Sequence, residues 1–267
     1  MSYAASRVDM LGYDPCRYGL SKLVFRGPKK DPADAYVAMI GGTETYGRFV
    51  ATPFSDLVER ALDMPVINLG CQNAGLDAFL YDSDVMALAK GARMTVVQVM
   101  GAQYMSNRYY RVHPRRNDRF LGPSETLKTI FREVDFTDFS FVRHMLSTLQ
   151  MVSPERFGLI RSEMQQAWVA RMKLLLGTID GPVILLWLKD AVPVGLGAEP
   201  LFIGADMVQD VADTAQAVVE VSVARAGENQ EGMVVGPTEG AIAAEMLGVS
   251  AHQAIASALQ PVLKDHL

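Results

Sequence analysis

Five short apolar runs, each followed by a stretch of helical periodicity, constrain this chain more than any other feature. They are AYVAMIG (35–41), PVINLG (65–70), MTVVQVMG (94–101), PVILLWL (182–188) and AVVEVSVA (217–224). Several are apolar at every position rather than at alternate ones, the pattern of strands buried on both faces of a parallel sheet. Helical patterns fill 50–62, 76–90 and 204–215. A last one, 251–264, puts Ile255, Leu259, Val262 and Leu263 on one face. The alternation predicts one doubly wound α/β domain over 35–267, a flavodoxin-like fold with a five-stranded parallel sheet. Sites in such folds lie at the carboxyl ends of the strands. Residues 1–34, broken by Gly, Pro and the Lys29-Lys30 pair, read as an irregular arm.

The third and fourth runs are separated by 102–181, far more chain than a crossover needs. Ser153-Pro154-Glu155 supplies an N-cap, a proline at the first helical position and an acid facing the positive helix end. Phe157, Ile160, Met164, Trp168, Met172 and Leu175 then form one stripe, and Gly177 suits the stop. With shorter helices expected over 124–133 and 138–150, the insert reads as a helical cap beside the sheet's active edge.

Composition narrows the class further. Hydrophobic residues make up 49% of the 267 and charged ones 21%, enough apolar material for a core and too much for a disordered chain. Two cysteines, Cys16 and Cys71, exclude a disulfide scaffold and a multi-cysteine zinc site. No run has the length of a membrane span, and the first nineteen residues lack a signal-type apolar core. A cytoplasmic location is the resulting expectation. Residues 189–267 hold three Lys or Arg against eleven Asp or Glu, a net of −8, while the whole chain carries −5. That balance argues against nucleic acid as a partner. There is no GxGxxG, no phosphate-binding loop, no HExxH and no Gly-x-Ser-x-Gly, so no cofactor or metal is implied.

What chemistry the sequence offers sits after the strands. Gly41-Gly42-Thr43-Glu44-Thr45-Tyr46-Gly47 follows the first, and its glycines allow a sharp turn that exposes the Thr43 hydroxyl. This segment resembles the first block of the SGNH (GDSL-type) hydrolases, with Thr43 in the place of the nucleophilic serine. Asn68-Leu69-Gly70 and Asn73-Ala74-Gly75 resemble the second block. That resemblance implies an oxyanion-hole amide at Gly75, with Gly70 as the other register. Gly101-Ala102-Gln103-Tyr104 stands for the third block, so Gln103 takes the place of the side-chain amide donor. Ser250-Ala251-His252-Gln253 resembles the last block, which implies His252 as general base; it also matches a second, non-catalytic histidine of some members. The position three before His252 is Val249 where the family has Asp, leaving that base without its carboxylate unless Glu239 or Glu245 replaces it.

A wider resemblance runs along nearly the whole chain. CRYGLSKLVFRGP (16–28), GGTETYGRFV (41–50), NAGLDAFL (73–80), SNRYYRVHPRRNDRF (106–120), VDFTDFSFVRHML (134–146) and ILLWLKD (184–190) are similar to a proteobacterial family of unknown function, itself distantly SGNH-like. It supports the architecture and says nothing of a substrate.

Residues 106–119 contain five Arg and one Asp, a net of +4 just after the third strand. Arginine forks match carboxylate and phosphate. The expected substrate-binding set is Asn107, Arg111, His113, Arg115 and Arg116, holding a small anionic or carbohydrate-like ligand. The other reading has these arginines pairing with Asp118, Glu133, Asp135 and Asp138 and pinning the cap to the sheet. Two functions follow: an ester hydrolase or acyltransferase using Thr43, Gly75, Gln103 and His252, or a non-catalytic protein binding an anion through the arginines. A third placement of the cleft uses Glu44 or the arm residues Arg17, Tyr18 and Arg26. Association between copies of the chain stays open.

Overall fold

The computed structural model describes residues 13–267 apart from 191, 193 and 194. The first twelve residues of the expected arm thus lie outside the described part. Residues 13–34 hold an isolated bridge between Cys16 and Phe25, and they bury Tyr18, Leu23 and Phe25 against the core.

Five strands form the central sheet: β1 (Val37–Gly41), β2 (Val66–Gly70), β3 (Met94–Gln98), β6 (Val183–Asp190) and β7 (Ala217–Val223). Their spatial order is β2-β1-β3-β6-β7 and every pairing is parallel. Leaving aside a short hairpin outside this sheet, that is the 2-1-3-4-5 order of flavodoxin-like folds, with the chain reversing its progression beside β1 and β3. Successive side chains of a strand point to opposite faces. Ala38, Ile40, Val97 and Leu185 therefore join one core layer, and Val37, Met39, Val96, Ile184 and Leu186 the other. This two-sided burial is why the runs lack alternation. Only β7, at the sheet's edge, alternates buried with exposed positions.

The helices are α1 (Thr43–Tyr46), α2 (Phe54–Leu62), α3 (Leu76–Leu80), α4 (Ser83–Gly91), α5 (Glu125–Ile130), α6 (Val142–Val152), α7 (Pro154–Ile179), α8 (Ala205–Ala212), α9 (Gly240–Ala244) and α10 (Val249–His266). The expected helix at 76–90 is two helices, because Asp82 leaves helical geometry and its side chain accepts the Val85 N–H as a new N-cap. Among the described residues no helix is long and apolar enough to cross a membrane.

Inside the insert, Ser153 caps α7 as the sequence predicts, its hydroxyl accepting the Arg156 N–H at 3.3 Å. The helix runs through Gly177 and stops at Asp180, which takes the left-handed conformation. Trp168 is fully buried and donates its indole N–H to the Met100 carbonyl at 2.7 Å, tying α7 to the end of β3. The insert is not all helical, however. Its arginine-rich segment forms an antiparallel hairpin, β4 (Tyr110–His113) with β5 (Arg116–Pro123). Its alternation of Tyr110, Val112 and Phe120 inward with arginines outward is a strand pattern that the charge count obscured.

Candidate functional site

A cavity of about 460 Å³ opens at the carboxyl edge of the sheet. Its floor comes from the turn after β1 (Gly42, Thr43, Glu44), from the end of β3 with the following turn (Gln98 to Gly101, Gln103, Tyr104), and from Asp190 and Arg225 after β6 and β7. Asn73 and Ala74 close one side, while Arg143 and Ser147 of α6 and the 195–200 loop form the outer wall. That volume lies within the usual range for small-molecule sites.

Gln98 organises the floor. It ends β3 with its side chain buried, where its Oε1 accepts the Gly42 N–H at 3.0 Å and the Thr45 hydroxyl at 2.6 Å. Its Nε2 donates to Glu44 Oε2 at 2.9 Å. The other Glu44 oxygen accepts from Arg225 at 3.2 Å, and Arg225 also reaches Asp190 at 2.8 Å. Burial by itself would raise the Glu44 carboxyl, but the Arg225 charge and the Gln98 hydrogen bond outweigh it and hold the group below its ordinary value. Glu44 is therefore a carboxylate at neutral pH. Arg225 stays charged for the reciprocal reason: Glu44 and Asp190 overcome its desolvation.

Of the four residues expected to carry acyl chemistry, Thr43 and Gln103 line the cavity. Thr43 Oγ1 accepts a backbone N–H at 3.0 Å, and the donor is Asn73. Asn73 sits at φ 55°, the left-handed region that asparagine tolerates better than most residues. The Gly75 amide does something else. It donates to the buried Asn117 Oδ1 at 2.7 Å and so fastens the hairpin to this loop. The Gly70 amide is likewise engaged, by Asn68 Oδ1 at 2.8 Å. Both glycines are required sterically instead: a Cβ would come within 2.2 Å of the Tyr104 carbonyl oxygen at Gly75 and within 2.3 Å of the Tyr46 nitrogen at Gly70. Gln103 is only 3% exposed, and its Oε1 has no hydrogen-bond partner among the described residues.

His252 lies beneath the cavity, where it shares with Thr43, Glu44 and Arg225 a pocket of about 10 Å³, room for one water. Its Nδ1 accepts the Phe54 N–H at 3.1 Å and its ring stacks on Phe54. A backbone N–H can only donate, so the neutral ring carries its proton on Nε2. Burial, helped by the charge of Arg26, pushes His252 down to about 4 against the opposing pull of Glu44. The ring is therefore neutral, and the nitrogen left free by Phe54 carries a proton rather than a lone pair.

The hairpin set does not reach the cavity wall. Asn107 shapes the turn before β4, its Oδ1 accepting the N–H groups of Tyr109 and Tyr110. His113 Nδ1 accepts from the Arg115 and Arg116 amides at the hairpin tip, and the side chains of Arg111, Arg115 and Arg116 are exposed. Nor do the predicted ion pairs form. Arg108 pairs with Glu163, Glu133 with Arg156, and Arg119 lies over the Phe141 ring. The antiparallel turn explains both results, since it directs alternate side chains to solvent along each strand.

Of the groups that build the floor, sequence reasoning named Thr43, Glu44 and Gln103 and passed over Gln98, Asp190 and Arg225. Gln98 was visible as the one polar side chain near the end of an apolar run, and Arg225 as the sole arginine of the acidic last third. Arg143, on α6, donates to the Tyr104 hydroxyl at 3.1 Å and pairs with Glu199. Cys71 is half-buried, with its thiol pushed up to about 11 by burial and by Asp118. It is no nucleophile at neutral pH. Among the described residues no group of three His, Cys, Asp or Glu could hold a metal ion.

Fold and site together define an α/β protein with a cavity at the carboxyl edge of a flavodoxin-like parallel sheet. All 267 residues match the model of a domain of unknown function (DUF6473), and the chain belongs to that family. No curated protein matches it. Among solved structures it is similar to the salicylyl-acyltransferase SsfX3 from a tetracycline biosynthetic pathway, with a TM-score of 0.39 and 13% identity. The match covers 89% of this chain and 57% of the other, so the chain spans little more than half that protein's length.

Proposed function

We propose that the chain is a divergent SGNH-like acyl hydrolase or acyltransferase with Thr43 as the acyl acceptor. The observation that carries the reading is the Thr43 hydroxyl after the carboxyl end of β1, on the wall of the cavity and held by the Asn73 N–H at 3.0 Å. While it donates to Thr43 Oγ1 this amide occupies a lone pair of that oxygen; it serves as an oxyanion donor when it turns to the substrate oxygen that becomes negative beside Oγ1 as the carbonyl carbon is attacked. Gln103 supplies a second amide on the same wall. Thr43 Oγ adds to the ester carbonyl, its proton passes to a base, and the alcohol departs carrying a proton. Water or an acceptor alcohol then takes the acyl group from Thr43.

The base in this scheme is Glu44. It is ionised, and among the carboxylates of the described residues it alone lines both the main cavity and the water-sized pocket that Thr43 also borders. Its low proton affinity makes it a weak base, so a slow enzyme or a reactive ester is expected.

The non-catalytic reading is favoured by one observation, the Phe54 N–H occupying His252 Nδ1, which leaves the imidazole unable to serve as base. Hydrolysis of a panel of short-chain chromogenic esters separates the two. The enzyme reading expects turnover by the wild type that Thr43→Ala and Glu44→Gln abolish, with both variants folded. Equal rates in all three proteins, or none in any, leave a binding protein.

A further inference from the structure

The cavity has a charge sign that the arginine-rich hairpin does not share. Glu44, Asp190, Glu199 and Glu245 line it against Arg143 and Arg225, a formal net of −2. Neither guanidinium is spare. Arg143 is paired with Glu199, and Arg225 bridges Glu44 and Asp190. An anionic ligand would have to displace one of these pairs and leave a carboxylate uncompensated in a partly buried place, which is expensive. Gln103 adds an independent requirement. It lines the same cavity, is 3% exposed, and keeps a buried carbonyl oxygen with no donor. A ligand N–H or O–H can satisfy that acceptor, and a ligand carboxylate cannot.

We propose that the cavity takes a ligand bearing a protonated primary amine, of the amino-sugar or amino-alcohol class. Resting on the acyl-transfer reading, this names the substrate as an oxygen ester of such a compound with its amine left free. The ammonium lies towards the Asp190–Glu245 side, where Arg225 alone faces several carboxylates, and its non-reacting hydroxyls face the polar wall. The expectation of an anionic ligand held by Arg115 and Arg116 is replaced, because those side chains stand outside the cavity.

The test is calorimetric titration of the full chain with four matched sugars: glucosamine, N-acetylglucosamine, glucose and glucuronic acid, at mildly acidic pH and low salt. Glucosamine should bind at least about tenfold more tightly than glucose, and glucuronic acid most weakly, as charge attraction in a partly buried site requires. The preference should shrink with added salt and in Glu245→Gln, which removes one of the carboxylates that face the ammonium. N-acetylglucosamine keeps the N–H without the charge, so binding equal to that of glucosamine would overturn the ammonium requirement. Tighter binding of glucuronic acid, or no heat with glucosamine, would overturn it as well. Titration reads binding alone, and Thr43→Ala should keep the glucosamine preference. A failure of ester turnover and a failure of this proposal are thus told apart.

Discussion

Asn73 donates its backbone N–H to Thr43 Oγ1 across 3.0 Å, from a residue held at φ 55°. The contact joins the turn after β1 to the turn after β2, and both the backbone shape and the hydroxyl are needed for it. Thr43→Ser keeps the oxygen and removes the methyl that stiffens χ1, so ester turnover should be retained or raised. Thr43→Ala should lower kcat/KM by at least about a thousandfold, as loss of a nucleophile does elsewhere. Chemical denaturation checks the other partner. Asn73→Gly should change stability by less than about 0.5 kcal/mol, whereas Asn73→Ala should cost about 1 kcal/mol for a left-handed alanine.

His252 contributes to folding through its neutral form. Its folded value near 4 lies below the ordinary 6.5, so the unfolded chain takes up the proton first as pH falls. The stabilisation is complete above pH 6.5 and is lost progressively as the pH drops through 4. The full difference is worth about 3 kcal/mol. His252→Leu leaves the Phe54 N–H without its acceptor and should cost about 1–3 kcal/mol at neutral pH. Urea midpoints between pH 7 and 4 should fall less steeply for the variant than for the wild type. Where the variant is folded, ester turnover should persist; its loss would return His252 to the role of base.

The sheet was legible because burial on both faces leaves a mark at every residue of β1, β2, β3 and most of β6. The cap was legible in part: Ser153-Pro154-Glu155 marks α7 by local chemistry alone. The hairpin was not, since five arginines over 106–119 drew attention to charge and away from the alternation of Tyr110, Val112 and Phe120. At the site, Thr43 and Gln103 could be found because strand ends are where such folds expose side chains. Which amide faces Thr43 could not be found. Asn73 and Gly75 are two residues apart, and only the position of Asn117, on a hairpin 42 residues further along, decides that Gly75 is engaged. The Glu44–Arg225 pair spans 181 residues and leaves no local trace in the sequence.

Gly75 is predicted to be intolerant for packing reasons. An alanine there meets the Tyr104 backbone, which cannot yield without moving the turn after β3. Gly75→Ala should therefore unfold the chain or displace the cavity wall, costing about 3 kcal/mol or more. Asn117→Ala should cost about 1–3 kcal/mol by stranding the Gly75 amide in a buried place. Thermal denaturation of both variants checks this.

Arg115→Ala and Arg116→Ala should be silent in comparison. Both side chains are exposed at the hairpin tip and neither lines the cavity. Stability should change by less than about 0.5 kcal/mol and ligand binding not at all. A tenfold loss of affinity in either would place the hairpin in the site after all.

The pH profile of ester turnover distinguishes Glu44 from an imidazole base. His252 as base would give an acid limb near 4, and Glu44 is held below its ordinary 4.5 by Arg225 and Gln98, so the two are told apart by their response to Arg225, which acts on Glu44. Between pH 8 and about 5 the carboxylate stays ionised, so kcat/KM should be flat across that span. Arg225→Gln removes the charge that holds Glu44 down and leaves burial to act alone, so the acid limb should move upward in that variant. An acid limb that Arg225→Gln leaves in place would exclude Glu44 as the base. A flat wild-type profile with an upward-shifted limb in Arg225→Gln would tie the reaction to the carboxylate that Gln98 and Arg225 clamp beside Thr43.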